Sequence, residues 1–587
     1  MTVIGNGLIV DGSGGPPFIG DVVIDGDTIA DVVRRDDGGE TSDLRRETRD
    51  ERRGEGRETI DERQGCARHY ATLKDPNRPY LSIDATGCIV SPGFIDAHAH
   101  SDAYLILEPS APSKVSQGIT TEINGQCGGS AAPRYGEARL SSDWASLLGP
   151  RLSWRSFAEY REAVESARPA VNTVQFVGHN TLRSSVVGYA GRAATDDELR
   201  SMERLLAESL DAGGWGLTTG LIYQPGKYST PGEVCALAKV AAGKGGIYAT
   251  HMRSEGDAIL EAIDEVIALA RASGIRAEIS HLKTSGRRNW GKIDDVLAKI
   301  EGAMGEGLLI GSDRYPYCAA GTDLDVVFPD WAGEGGAPAE CARLADPATR
   351  ARIVAEIDAL DRDWSTVMIG GTWHEETRAF SGKSISEILG FGSVSDERET
   401  RDERRDVTRP YETLKDPNRP YSSPGELICR ILELDECRTG AFFFGMSEDN
   451  LDKILSRPWI VPGSDASLRA PWGPLGADHP HPRAYATMPE FYRRLRARGV
   501  PREEAVARMT SVPAARFGIR RRGILERGAF ADVAVWREGD FRGNATYAVP
   551  HRFSSGMEAV VVNGVVTYRD GKSTGERAGR FLGRSEP

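Results

Sequence analysis

A chain of 587 residues with 73 basic and 86 acidic side chains, net charge -13, has room for a large catalytic domain and a smaller module, and is too acidic to favour a nucleic-acid partner. Neither a basic-then-apolar leader at Met1 nor an uninterrupted apolar run of membrane-spanning length is found, so no membrane association is expected. The eight cysteines follow no regular spacing, which predicts reduced thiols and a cytoplasmic protein.

The chain opens with short apolar runs at 3–14 and 21–33, split by Asn-Gly and Asp-Gly turns, a β-meander pattern. The tail repeats it at 529–536 and 557–568. Between them, the run from Gly87 to Asp96 reads as a buried strand leading into Asp-Ala-His-Ala-His, and a spacing of two places His98 and His100 on one face, where both imidazoles reach one ion. Cys127 follows in Gly-Gln-Cys-Gly. Two apolar runs then end in His251 and His281, separated by helical spacing over 257–273, so that strand, histidine and helix alternate. A further apolar run ends in Gly-Ser-Asp465. Ligand-type residues at carboxyl ends of strands are the active-site pattern of a (β/α)8 barrel.

These stretches resemble the metal-dependent amidohydrolase superfamily and, within it, the D-aminoacylases (N-acyl-D-amino-acid deacylases). The resemblance is carried by Pro-Gly-Phe-Ile-Asp-Ala-His-Ala-His, Gly-Gln-Cys-Gly, Gly-Leu-Ile-Tyr-Gln-Pro-Gly, Thr-His-Met-Arg, Ser-His-Leu-Lys, Asp-Arg-Tyr-Pro-Tyr, Gly-Ser-Asp and His-Pro-Arg-Ala-Tyr. It implies an α/β fold, a (β/α)8 TIM-like barrel over 91–520, with a small β-sandwich built from 1–90 and 521–587. It implies a tightly held zinc on Cys127, His251 and His281, and a weaker second metal site on His98, His100 and Asp465. Three protein ligands leave a position for water, the catalytic zinc pattern. Zinc lowers the pKa of bound water to about 7, and Asp465 would act as general base and acid. Lys283, Tyr223 and Tyr315 would bind the carboxylate of a small-molecule N-acyl-D-amino acid. D-preference rests on the resemblance alone. The side-chain pocket stays open between acidic substrates, through Arg287 or Arg288, and apolar ones, through Val326, Val327, Phe328 and Trp331, with a lean to apolar.

The alternative of a cyclic-amide hydrolase, dihydropyrimidinase-like or dihydroorotase-like, expects a metal-bridging lysine after an apolar strand. The run Trp-Gly-Leu-Thr-Thr-Gly-Leu-Ile-Tyr at the expected fourth strand holds none. A non-catalytic barrel is disfavoured by the intact ligand set. His179 and Arg183 read as structural.

Two segments depart from the family. Arg-Glu-Thr-Arg-Asp-Glu-Arg-Arg occurs at 46–53 and 398–405, and Thr-Leu-Lys-Asp-Pro-Asn-Arg-Pro-Tyr at 72–80 and 413–421. Identity at unrelated places is not a solenoid pattern. It predicts inserted segments, about 35–81 and 394–423, that are exposed, charged and unable to bury much surface.

Overall fold

The computed structural model describes residues 1–35, 81–140, 147–390 and 421–584. The two repeated segments lie almost wholly outside these residues. Their edges are ordered: Leu81 begins a strand, Tyr421 packs 6.5 Å from Phe380, and Ser423 caps the helix Pro424–Leu434.

Both ends of the chain meet in one nine-stranded sheet, in which Ile89–Pro92 pairs antiparallel with Val533–Trp536 on one side and parallel with Thr2–Ile9 on the other. Alternating side chains such as Ile4, Ile9, Val22, Val90, Val533 and Val561 fill a shared core beneath it. The apolar run 87–96 is thus two strands. It breaks at Gly93, where a Cβ would lie 2.2 Å from Thr120, and Phe94–Asp96 joins a different sheet.

From there the chain alternates parallel strands with helices. Phe94–Asp96, Ile119–Asn124 and Asn172–Gln175 form one parallel sheet, while Val177–Gly178, Gly216–Gly220, Ile247–His251, Arg276–Ile279, Ile310–Arg314 and Ile460–Pro462 form another in that order. The last strand returns to the first: Ala97 N donates to Pro462 O at 3.1 Å, and Ala99 bridges Ala466. The intervening helices are amphipathic. Ile259–Ser273 buries Ile259, Ile263, Val266, Ile267 and Ala270 at helical spacing and stops where Gly274 adopts φ 68°.

Between the strands Ile310–Arg314 and Ile460–Pro462 the chain builds a cap. Ala319–Asp323, Gly440–Phe444 and Val367–Ile369 form an antiparallel sheet over a separate core that includes Leu324, Ile353, Trp364, Leu427 and Leu432. Gly440 to Phe443 face back over the carboxyl ends of the parallel strands and enclose a cavity of about 720 Å3. No helix among the described residues is long and apolar enough to cross a membrane.

Candidate metal centre

The six expected ligands converge at one end of the cavity, His251 as the last residue of its strand and the other five just beyond the end of theirs. His98 and His100 lie beyond Phe94–Asp96, and His281 beyond Arg276–Ile279, so loop geometry rather than strand alternation brings them together. Three of the six adopt left-handed backbone: Cys127 at φ 52°, His281 at φ 37° and Asp465 at φ 50°. Such strain costs about 1–3 kcal/mol per residue and persists where function over-determines the conformation. Gly463 permits the close approach, since a Cβ there would lie 2.6 Å from both Asp313 Oδ1 and His98 Cβ.

Cys127 Sγ lies 3.3 Å from His281 Nε2 and 3.4 Å from His98 Nε2. Asp465 Oδ1 lies 3.1 Å from His100 Nε2 and 3.4 Å from His98 Nε2. The close-set donors fall into two groups, each within 4.8 Å: His98, Cys127, His281 and Asp465; and His251, Glu255 and His281. His281 belongs to both, and His251 joins the second beside Glu255.

Burial pushes the Cys127 thiol up, but the charges of His98 and His281 outweigh it and hold the group well below the usual thiol value. Burial likewise opposes ionisation of Asp465, and Arg483 and His281 reverse it, so this carboxyl sits well below the carboxylate range.

The residues fit a metal. His251 is buried, and neither of its ring nitrogens has a hydrogen-bond partner, an orphaned state that native side chains rarely keep. A thiolate with imidazoles and carboxylates is a donor set suited to zinc. Outer partners orient the rings. Asp313 Oδ2 lies 3.2 Å from His98 Nδ1, leaving Nε2 toward Cys127, while Asp313 Oδ1 accepts from the His281 N–H at 3.0 Å.

Lys283 is buried, with its ammonium 2.5 Å from Glu255 Oε1 and 2.8 Å from His281 Nδ1. Tyr223 lines the cavity, its ring 4.9 Å from that of His251 and its hydroxyl 3.3 Å from Thr322 Oγ1. Tyr315 does not reach the cavity wall. It is fully buried, with the guanidinium of Arg314 at 4.1 Å and that of Arg483 at 4.6 Å over its ring. Among the side-chain selectors, Val326 lines the cavity, whereas Arg288 is exposed and paired with Asp257. His179 and Arg183 share Glu233 in a buried cluster, a structural role.

Sequence reasoning missed Glu255, Asp313 and Arg483 as site residues. Arg483 Nη1 holds Asp465 Oδ2 at 2.7 Å and Nη2 donates to Gly321 O at 3.2 Å, tying Asp465 to the cap.

The Amidohydrolase family profile matches residues 82–414 and 434–568, most of the chain. The chain belongs to the amidohydrolase family. It is 31% identical over 584 residues to an N-acyl-D-glutamate deacylase of Alcaligenes xylosoxydans xylosoxydans, covering 99% of this chain and 96% of that one. Among solved structures, a D-aminoacylase described by one-metal activation and second-metal attenuation of its binuclear centre superposes with TM-score 0.74 at 29% identity, covering 99% of both chains. An N-acyl-D-glutamate deacylase from Bordetella bronchiseptica, complexed with zinc and a phosphonate mimic of the tetrahedral intermediate, superposes with TM-score 0.72 at 27% identity, again over 99% of both.

Proposed function

We propose that this amidohydrolase is a zinc-dependent deacylase of N-acyl-D-amino acids, releasing a D-amino acid and a carboxylate. The observation that carries the reading is the juxtaposition of a thiolate, imidazoles and Asp465 at the floor of one cavity, in a chain similar end to end to deacylases of that class. The nine parallel segments count as eight successive strands, because Asn172–Gln175 and Val177–Gly178 continue one another across Phe176; joined first to last, they support one closed (β/α)8 barrel, with 91–520 as the catalytic domain and the two ends of the chain as a supporting β-sandwich.

Cys127, His251 and His281 would hold the main zinc, with Glu255 beside them, and His98, His100 and Asp465 a second, weaker metal. A zinc ion there supplies electrophilic activation of the amide carbonyl and of the attacking water.

The chain's own residues do the rest. Asp465 is ionised throughout the neutral range; Oδ1 is turned to His98 and His100, and Oδ2, which accepts one bond from Arg483, keeps a second lone pair to take the proton of the attacking water and return it to the leaving nitrogen. Arg483, which cannot give up its own proton at neutral pH, keeps Oδ2 oriented. Lys283 and Tyr223 line the cavity where the substrate carboxylate would sit, and Tyr315 supports Arg483 from beneath.

Nothing favours the cyclic-amide reading: Gly216–Gly220, the fourth parallel strand, contains no lysine. The test is chelation followed by zinc replacement, with D-amino acid release assayed on a panel of N-acetyl-D-amino acids. Activity lost on chelation and restored by zinc supports the reading; absence of release from every member with zinc restored sinks it.

A further inference from the structure

We propose that Lys114 is a positioning residue for the catalytic centre: one buried ammonium, anchored on the strand before Cys127, fixes the two segments that carry His98 and His100, and Asp465. The inference rests on the reading of these residues as the catalytic site.

Lys114 lies on the short helix Pro112–Val115 and is completely buried. A lysine reaches such a place only when paired. Its Nζ lies 2.8 Å from Asp96 Oδ2 and 2.8 Å from Glu122 Oε1, and donates to Ser464 Oγ at 3.1 Å and Ala466 O at 3.0 Å. Each partner belongs to a different arm of the site. Asp96 ends the strand before His98, Glu122 lies in the strand before Cys127, and Ser464 and Ala466 flank Asp465.

The arms are linked again through these partners. Asp96 accepts from Ser464 N at 2.7 Å, from Ser464 Oγ at 2.6 Å and from His98 N at 3.3 Å. Ala466 O also accepts from His100 N at 3.3 Å, and Asp465 N donates to His98 O at 2.8 Å. Glu122 Oε1 accepts from Ser101 Oγ, which takes the Leu468 N–H at 2.9 Å. The left-handed turn at Asp465, unfavourable for a residue with a side chain, is therefore clamped on both sides by bonds converging on Lys114. Lys114 touches no expected ligand and does not line the cavity, so its effect is on where Asp465, His98 and His100 stand.

A buried ion cluster often contributes less stability than apolar residues of the same volume, so its presence between the site's arms points to placement rather than fold stability. Loss of Lys114 alone leaves two buried carboxylates without their cation and threatens folding. Two variants are therefore compared: Lys114→Met, and Lys114→Met with Glu122→Gln, which leaves the net charge of the cluster unchanged. In the double variant kcat should fall about 10- to 100-fold, the scale of a small misplacement, while KM stays within about two-fold, as for an interaction made only in the transition state.

Cobalt substitution gives a readout without substrate. The thiolate-to-cobalt absorption of the first equivalent should be unchanged, whereas the second equivalent should bind at least about ten-fold more weakly, the usual scale for loss of outer-shell support. The proposal is overturned if kcat and second-equivalent binding both match the parent, or if first-equivalent cobalt binding falls in parallel with kcat, which marks a merely structural lysine. If the unaltered enzyme releases no amine from N-acyl-D-amino acids, the functional reading fails, and the cobalt titration still decides the role of Lys114.

Discussion

Replacing Cys127 separates its two contributions, as a metal donor and as a strained backbone position. Structural zinc sites are worth about 10–16 kcal/mol in all; shared over four donors, that is about 2.5–4 kcal/mol each, or about two to three orders of magnitude in Kd. Cys127→Ala removes the sulfur that stands 3.3 Å from His281 and 3.4 Å from His98 but keeps a side chain at φ 52°. Cys127→Gly removes the sulfur and also the strain, which is about 1–3 kcal/mol for a residue with a Cβ, offset by about 0.5–1 kcal/mol of glycine entropy. Both variants should lose zinc equally, by about 100- to 1000-fold in Kd against a competing chelator. Their metal-free forms should differ in thermal unfolding midpoint, glycine above alanine. Stoichiometric zinc in Cys127→Ala under chelator competition would refute the thiolate assignment. An alanine variant melting above the glycine variant would refute the strain.

Asp465→Asn should retain the zinc at Cys127 while turnover falls at least about 100-fold, the usual order for loss of a general base; near-parental turnover would place the base elsewhere. Lys283→Met should weaken the preference for substrates with a free α-carboxylate over the matching amides, since a buried cation is lost; equal losses on both would mark its pairing with Glu255 as purely structural. In the metal-free protein burial and Lys283 act to lower the His281 pKa, but Asp465, Glu255 and Cys127 push it up to about 10 from 6.5. A raised imidazole contributes stability that is fully present below about 6.5 and lost as pH rises through about 10. Zinc must displace that proton, so its affinity should climb with pH across this window, with proton release on binding at pH 8 seen by indicator dye; binding without proton release would contradict it. Excising 396–420 with a short Gly/Ser bridge keeps Tyr421 and the Ser423 cap, so zinc content and fold should survive with little change in stability; loss of soluble, zinc-bound protein would show that the segment packs against the rest.

The ligands were legible because each follows a short apolar run that ends in a polar group, a pattern that a chain with ten histidines repeats rarely by chance. His251, His281 and Asp465 stand where those runs end, and the amphipathic helix between the first two falls at 259–273. What stayed hidden depends on contacts between distant segments. Glu255 sits in a polar loop whose fold returns it to His251 and His281, and Arg483 reaches Asp465 from the start of the helix Arg483–Ala497. Lys114 has the composition of a surface residue, and only its convergence with Asp96 and Glu122 reveals burial. The division of the run 87–96 between two sheets was marked only by Pro92-Gly93, since both halves are buried and periodicity cannot tell one buried strand from two. Tyr315 shares a motif with the site yet is fully buried outside the cavity lining, against Arg483, a placement that one-dimensional spacing does not encode.

Steady-state hydrolysis of paired N-acetyl-D-amino and N-acetyl-L-amino acids by the zinc-loaded enzyme, with kcat/KM measured for each enantiomer across acidic and apolar side chains, decides whether the chain is a D-specific deacylase. The D-amino acid should be released with kcat/KM at least about 100-fold above that for the L enantiomer, a transition-state difference of about 2.7 kcal/mol. Equal rates on both enantiomers, or zinc-loaded protein inert toward every D substrate, would contradict it.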